Sequence, residues 1–482
     1  MRLVKRLLWT TLIGFPISGC HASASAGVQT ITVDASHVVG AIKRVNDVGN
    51  GPLNLHGAID LSKYYRELGI RNVRLHDASW SYDDVLDINY IFPHWDADPD
   101  KPESYDFAQS DFYIKSITDL GINIIFRLGY SAEYKTPMRH SAPPESFEKW
   151  ADICAHIVRH YNQGWANGSK ANIRYWEIGN EPDGRGLVFW SGTPEEFYRL
   201  YEVTARKLKE IDPTLKVGGP AIAGSLPFLE GMLHYCQEHG TPIDFVSWHI
   251  YTRDPHEIAE SARRIHAIQV KYGYAKAENI LDEWNMSPAN WGTIFDGSTA
   301  GDTYFAETKN AVGAAFDATA MIELQNEPVD IATYYTGTTQ PWGLFSSSGV
   351  PQPAYYSFLA MQRLMETPER LEVIIAGNGG PSVLAGMSED KKTVRILVVT
   401  LKGQRNLISL QVRNLPWNGP SVCERRAIDA SHNLSIVGTG QITGKSPSIS
   451  QPVLGPAIIL FTIRPASQRR HSHWISGGRL YR

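Results

Sequence analysis

Tyr175-Trp176-Glu177-Ile178-Gly179-Asn180-Glu181-Pro182-Asp183 is a short apolar run that ends in a carboxylate and is stopped by a proline. Roughly a hundred residues later, Asn279-Ile280-Leu281-Asp282-Glu283-Trp284-Asn285 repeats the design. Pro182 has no backbone donor and turns the chain out of a strand. The interval between the two runs is what three βα units occupy in an eight-unit barrel of about 250 residues. Outward from this pair, short apolar runs alternate with longer amphipathic stretches between residues 39 and 343, the pattern of a parallel sheet covered by helices. Strand candidates fall at 42–45, 73–76, 122–126, 173–178, 216–218, 245–249, 279–282 and 331–335. Eight alternations predict an α/β chain of the (β/α)8 TIM-barrel class, with the barrel at 39–345, rather than an open sheet. Helix signals lie between them. Thr193-Pro194-Glu195-Glu196 supplies a cap, a proline and first-turn acids, and 146–160 carries apolar residues at helical spacing.

After Phe345 the texture changes to short β-prone runs, such as 393–399 and 457–463, separated by Gly, Pro, Asn and Ser clusters. These predict an accessory C-terminal β-sandwich over 346–465, to which 28–36 adds a strand. The stretch 466–482 has no apolar period, holds Arg469, Arg470, Arg479 and Arg482, and reads as a disordered basic tail.

With 482 residues and 43% hydrophobic content the chain can bury two cores. A net charge of -4 gives no field that favours nucleic acid or an acidic polymer, which leaves neutral ligands. Thirteen Trp and 22 Tyr suit stacking on sugar faces and equally suit core packing. Residues 1–26 read as an export segment: Arg2, Lys5 and Arg6, then an apolar run, then Ile17-Ser18-Gly19-Cys20. Two readings stand: a lipoprotein signal with Cys20 as the lipidated residue, which would anchor the chain to a membrane, or cleavage after Ala24 or Ala26. Either places the protein in the periplasm, at the cell surface or in the medium. Cys154, Cys236 and Cys423 show no pairing or metal-ligand spacing, and Cys154 and Cys236, in helix-like surroundings, read as buried small hydrophobes. No metal and no cofactor is expected.

In a parallel barrel the site gathers at the carboxyl ends of the strands. Glu181 and Glu283 therefore flank one cavity, as the two carboxylates of a glycosidase flank one bond. Glu181 is the candidate acid/base, with Asn180 beside it as a donor to a substrate hydroxyl. Glu283 is the candidate nucleophile, and alternation places Asp282 on the other face. Glu177 shares a face with Glu181 one layer deeper, where pairing with Arg74 or Arg127 is expected. Asn326-Glu327-Pro328 copies the tripeptide but precedes a strand, so it reads as a structural turn on the opposite face. His249 and Tyr251 close the sixth strand on one side, the hydroxyl within reach of Glu283. Arg74 is read near the nucleophile and His76 at the sugar, with a purely structural ion pair for Arg74 as the alternative. Trp342 has two readings, as the floor of a subsite or as packing between barrel and sandwich. The insert 88–106, with Phe92, Trp95 and Asp96, reads as a loop over the same face.

Arg74-Leu75-His76-Asp77, Trp176 to Asp183, Ser247-Trp248-His249-Ile250-Tyr251, Asp282-Glu283-Trp284-Asn285 and Pro351 to Tyr356 together resemble glycoside hydrolase family 39, of the clan of (β/α)8 retaining glycosidases. The resemblance covers about residues 30 to 465. It implies Glu181 as acid/base and Glu283, rather than Asp282, as nucleophile. One position departs from the pattern: Gly179 stands where related sequences commonly carry Trp, which removes an apolar wall or leaves it to another aromatic. The family includes β-xylosidases, α-L-iduronidases and enzymes of bacterial exopolysaccharides. No basic cluster beyond Arg74 appears in the motifs, which favours neutral over uronic sugars. The expectation is a retaining β-xylosidase acting on oligosaccharide or polysaccharide. The alternatives are a glycosidase of exopolysaccharide or arabinose-bearing glycans, and a surface lipoprotein that binds glycans without cleaving them.

Overall fold

The computed structural model describes residues 27–466 apart from 79–84, 133–139, 185–188, 295, 378 and 404. The export segment with Cys20, and the tail from 467 onward, lie outside the described residues. Eight parallel strands close into a barrel: β1 Asp47–Gly49, β2 Asn72–Leu75, β3 Asn123–Leu128, β4 Tyr175–Ile178, β5 Lys216–Ile222, β6 Phe245–Thr252, β7 Glu278–Met286 and β8 Ile331–Tyr334, with β8 paired back to β1.

Alternation sorts each strand into two faces. Val73, Phe126, Trp176, Val217, Val246 and Leu281 point outward and are buried under helices. Ile125, Phe245, Ile280 and Ile331 point inward and plug the amino end of the barrel, with Tyr175 against them. One pleat higher, the inward positions become Arg74, Arg127, Glu177 and Asp282. The interior thus changes from dry to ionic toward the carboxyl face, where the candidate site residues stand.

The surrounding helices start where their local chemistry stops the backbone from staying extended. Helix Pro194–Ile211 opens on a complete capping box, in which Glu196 N–H donates to the Thr193 side chain and Thr193 N–H donates to the Glu196 carboxylate. Helix Phe147–Gln163 opens on Ser146. No helix among the described residues is long and apolar enough to cross a membrane.

The first strand is not the apolar run at 42–45 but the less apolar Asp47–Gly49. Ile42 and Val45 are buried, which gave that run its strand-like texture, yet they cross the closed end of the barrel. Lys43 is tied there to Gln325 and to the carbonyls of Glu327 and Val329 ahead of β8. Asn326-Glu327-Pro328 lies at this same end, and Glu327 pairs with Arg263 far from the cavity.

Helix Pro353–Met365 packs on the barrel, with Phe358 stacked on Trp284 of β7 at 6.3 Å and Tyr355 against Tyr64. Barrel packing therefore extends past residue 345. The accessory domain is one nine-stranded ladder. Strand Gly27–Ala41 runs parallel to Arg405–Arg413 and antiparallel to Glu369–Ile375. Ile449 and Val453 on one edge strand meet Cys423 and Ala427, from the far side of the sheet, in one core. A flat sheet cannot do this, so the ladder curls until its halves face each other as the layers of a sandwich do.

Glu327→Gln should lower the melting temperature by a few degrees through loss of the Arg263 pair, and leave catalytic turnover within about twofold of wild type. A large loss of activity with an unchanged melting temperature would contradict the placement of this tripeptide at the closed end.

Candidate active site

Arg74 stands at the centre of the barrel mouth and is 1% exposed. Its Nε lies 2.8 Å from Glu177 and 3.2 Å from Asp282, its Nη1 3.0 Å from Glu283, and its Nη2 donates to Asn180 Oδ1 at 2.6 Å. Burial works against its charge, but the three carboxyl groups outweigh burial and hold it firmly cationic. Glu177 is pushed up by burial and by neighbouring Asp282. Asp282 is held low despite its burial, because Arg74 and His249 favour its charge. The proton of this pair thus stays on Glu177. Pairing of Glu177 with Arg74 is the arrangement expected from its depth; Arg127 pairs instead with Asp87 at 2.6 Å.

Asp282 does not turn to the opposite face. Ile280 points into the barrel, so alternation carries Asp282 inward as well. The ladder between β6 and β7 then slips: Leu281 pairs with Trp248, but Glu283 pairs with His249. This bulge sets two β7 residues against one on β6 and brings Glu283 inward too. Two adjacent carboxylates therefore share Arg74, the deeper one fully buried and Glu283 at the mouth with a side chain 8% exposed.

His249 and Tyr251 lie on the side expected. Tyr251 donates to Glu283 Oε1 at 2.5 Å, while Arg74 holds Oε2, so both oxygens of Glu283 are oriented. His249 Nδ1 is 2.8 Å from Glu181 and 3.8 Å from Glu283, and its Nε2 is 3.6 Å from Asp282. Burial disfavours an imidazolium, but these carboxylates outweigh it and raise the His249 pKa well above the usual range. Glu283 is itself raised, by burial first and by Glu181, against the opposing pull of His249 and Arg74. One ligand atom each of Glu181, His249 and Glu283 lie within 4.8 Å of one another, a spacing that would admit a cation. A protonated His249 and the Arg74 guanidinium oppose one there.

Glu181 follows β4 in the left-handed region, at φ 43°, held by its N–H donating to Ala221 O at 2.9 Å. Asp183 accepts from the backbone N–H groups of Ala223 and Ser225, which locks the turn after β4 to the loop after β5. Gly179 sits at φ 84°, and a Cβ there would come within 2.7 Å of the Phe197 ring. Phe197 thus occupies the space beside the missing side chain. With Tyr130, Trp150, Phe189 and Trp190 it lines an apolar pocket beside Asn180 and Pro182.

On the β2 side His76 is 4% exposed, and burial together with Arg127, Arg74 and His249 keeps its imidazole neutral. It lies between the rings of Phe189 at 5.5 Å and Tyr335 at 6.4 Å. Trp342 stacks obliquely on Tyr335 at 5.9 Å and edge-on to Phe305, and donates to Tyr304. These partners lie just after β8 and on the helix Thr299–Lys309 that follows β7, not in the accessory sheet. The insert 88–106 does not spread over the mouth. From Asp87, which holds Arg127, it descends along helix Phe147–Gln163: Lys149 donates to Ala97 O, His156 lies 3.7 Å from Asp100, and Tyr105 packs on Trp165.

Sequence reasoning left several site residues without a role. Asp77, Asp87 and Arg127 form an ionic cluster beside His76, and burial, followed by Asp87 as a neighbour, pushes Asp77 up to about 7 against the pull of Arg127. Trp291, 49% exposed, stands edge-on to Tyr251 at 5.2 Å on the rim. Its signal was only that of an aromatic shortly after the β7 carboxylate.

Carboxylates facing each other at the carboxyl ends of β4 and β7 of a closed parallel barrel define a (β/α)8 protein with a two-carboxylate site. The chain belongs to the glycosyl hydrolases family 39, whose model matches residues 31–365. Over 348 residues it is 27% identical to a beta-xylosidase of Caldicellulosiruptor saccharolyticus, an alignment that covers 65% of this chain and 65% of that protein. A beta-xylosidase of Geobacillus stearothermophilus is 27% identical over 350 residues, covering 64% of this chain and 66% of the other. The chain thus spans just under two thirds of the length of these relatives. Among solved structures, a glucosidase from Croceicoccus marinus superposes with a TM-score of 0.74 at 26% identity, covering 91% of this chain and 100% of that one.

Gly179→Ala should destabilise the fold by about 1–3 kcal/mol, because it adds backbone strain and a contact with Phe197; equal urea midpoints would refute this. Asp77 has a folded pKa of about 7 against 3.8 for the free group. Its contribution to stability is complete below the lower value and lost as pH rises through the higher one. Asp77→Asn should therefore gain on wild type by a few kcal/mol between pH ~4 and ~8, read as a widening gap in melting temperature.

Proposed function

We propose that this chain is a retaining β-glycosidase of neutral sugars, foremost a β-xylosidase, with Glu181 as acid/base and Glu283 as nucleophile. The observation that carries the reading is the approach of one carboxyl oxygen of Glu181 to one of Glu283 within 4.8 Å, which favours the close pair of double displacement, about 5 Å apart, over the wider pair of an inverting site. Arg74 and Tyr251 hold the two oxygens of Glu283, so the attacking lone pair is aimed without a search over rotamers. Glu181 faces the same space from the end of β4.

In the first step Glu181 gives its proton to the departing glycosidic oxygen while Glu283 bonds to the anomeric carbon. In the second, water attacks that carbon, Glu181 takes the water's proton, and the bond to Glu283 breaks. His249, hydrogen-bonded to Glu181 and facing Glu283, adds positive charge where negative charge moves between the two. Asn180 is fixed through Oδ1 by Arg74, which leaves its amide N–H groups for a substrate hydroxyl.

The two beta-xylosidases at 27% identity support xylose as the glycone. The glucosidase that matches across 91% of this chain favours glucose as the glycone in a second reading. Export through the 1–26 segment, with or without a lipid on Cys20, belongs to the same proposal and suits a polymer-derived substrate.

Aryl β-xylosides and β-glucosides should be hydrolysed with retention, followed by NMR of the first-formed anomer. Glu181→Ala should lower kcat by about 10²–10⁴-fold. Glu283→Gly should be inactive until azide is added, and should then yield a glycosyl azide of inverted configuration. Rescue at Asp282→Gly alone would move the nucleophile by one residue, and no turnover of any aryl β-glycoside would leave only glycan binding.

A further inference from the structure

The turn after β2 gathers polar groups that the double displacement leaves without a task. Asp77 is held in the left-handed region at φ 49°. Aspartate is one of the few non-glycine residues that enter that region, and here neighbouring side chains hold it there. Gln340 Nε2 donates to its carbonyl at 2.6 Å and Asn50 Nδ2 at 3.3 Å. Asn50 also accepts from His76 N–H and donates to His76 O. Groups from the end of β1 and from the loop after β8 thus fix the backbone of the His76-Asp77 pair.

Asp77 Oδ2 lies 3.4 Å from Tyr335 Oη and 3.5 Å from His76 Nε2. The Ser131 hydroxyl lies near enough to favour the charge of Asp77, but Asp77 Oδ1 is buried without a close hydrogen-bond partner among the described residues, as are His76 Nδ1 and Asn180 Nδ2. His76 and Asn180 are 4% and 5% exposed, so these atoms cannot turn to bulk water. Polar atoms left in this state at the mouth of a barrel are satisfied by a ligand or by ordered water. Asp77 thus stands at the carboxyl end of β2 between His76 and Tyr335, near enough to Glu283 for that carboxyl group to act on its charge.

The charge of the cluster narrows the ligand. Arg127 is paired with Asp87 and also acts on the charge of Asp77, so one guanidinium stands against two carboxyl groups. A uronate would meet an acid excess there; a neutral sugar meets an acceptor suited to O–H.

We propose that Asp77 binds a hydroxyl of the glycone through its unpartnered oxygen and so helps select a neutral sugar. This rests on the β-glycosidase reading given above. Asn tolerates the left-handed region as well as Asp does, so Asp77→Asn preserves the turn while weakening the acceptor.

The test compares wild type and Asp77→Asn on an aryl β-xyloside, or on the aryl β-glucoside if that is cleaved better, and on its monodeoxy analogues. Asp77→Asn should lower kcat/KM on the parent by about 30-fold or more. One deoxy analogue should show a loss of similar size with wild type and almost none beyond the parent with Asp77→Asn, because the same bond is removed twice. Losses that multiply for every analogue would overturn the proposal. So would wild type cleaving all the monodeoxy analogues within threefold of the parent, a result that needs no variant to fold. If wild type cleaves no aryl β-glycoside at all, the glycosidase reading falls and takes this one with it; turnover with multiplicative losses removes only the role of Asp77.

Discussion

One buried guanidinium organises this barrel mouth. Arg74 is in reach of Glu177, Asp282, Glu283 and Asn180, which come from β4, β7 and the turn between β4 and β5. A cation so deeply buried is tolerated only because carboxyl groups surround it, and two adjacent carboxylates on one strand are tolerated only because it stands between them. Each charge is the condition for the others. The proton on Glu177 keeps the count of negative charges down, and the bulge in β7 supplies the second carboxylate at the mouth.

From that hub the chemistry is built outward by position. Asp282 and Glu177 remain below, as supports; Glu283 rises to the cavity with both oxygens held; Glu181 faces it from the neighbouring quadrant, bound to His249. Phe197 and its aromatic neighbours wall the β4 side, while His76, Asp77, Tyr335 and Trp342 line the β2 and β8 side. The apolar plug beneath isolates this ionic layer from the closed end. The low dielectric it provides strengthens the interactions among these fixed charges.

Much of this was legible in the chain. Strand ends marked by a carboxylate located Glu181 and Glu283, and period-two spacing put His249 and Tyr251 on one side. Capping residues announced the helix Pro194–Ile211. Where reading failed, a non-local contact had displaced a local rule. The run at 42–45 looked like a strand because it is buried, but it is buried against the barrel's closed end. Asp282 was turned outward by a strict count of two, which a register slip against β6 suspends. The insert at 88–106 looked like a loop over the mouth, and its aromatic residues instead pack along a helix.

Alternation, capping and strand-end position are properties of short segments, so the architecture, Glu181 and the Asp282-Glu283 pair could be read from the chain alone, while the preference for Glu283 within that pair came from the family resemblance. Only the tertiary structure decided how the charges are shared. Arg74, Glu177 and Asp282 are more than a hundred residues apart along the chain at each step, and the distances that set their protonation exist only once the barrel closes. The same closure brings Phe197 into the space beside Gly179 and leaves an oxygen of Asp77 without a partner, since both depend on which strand ends become neighbours.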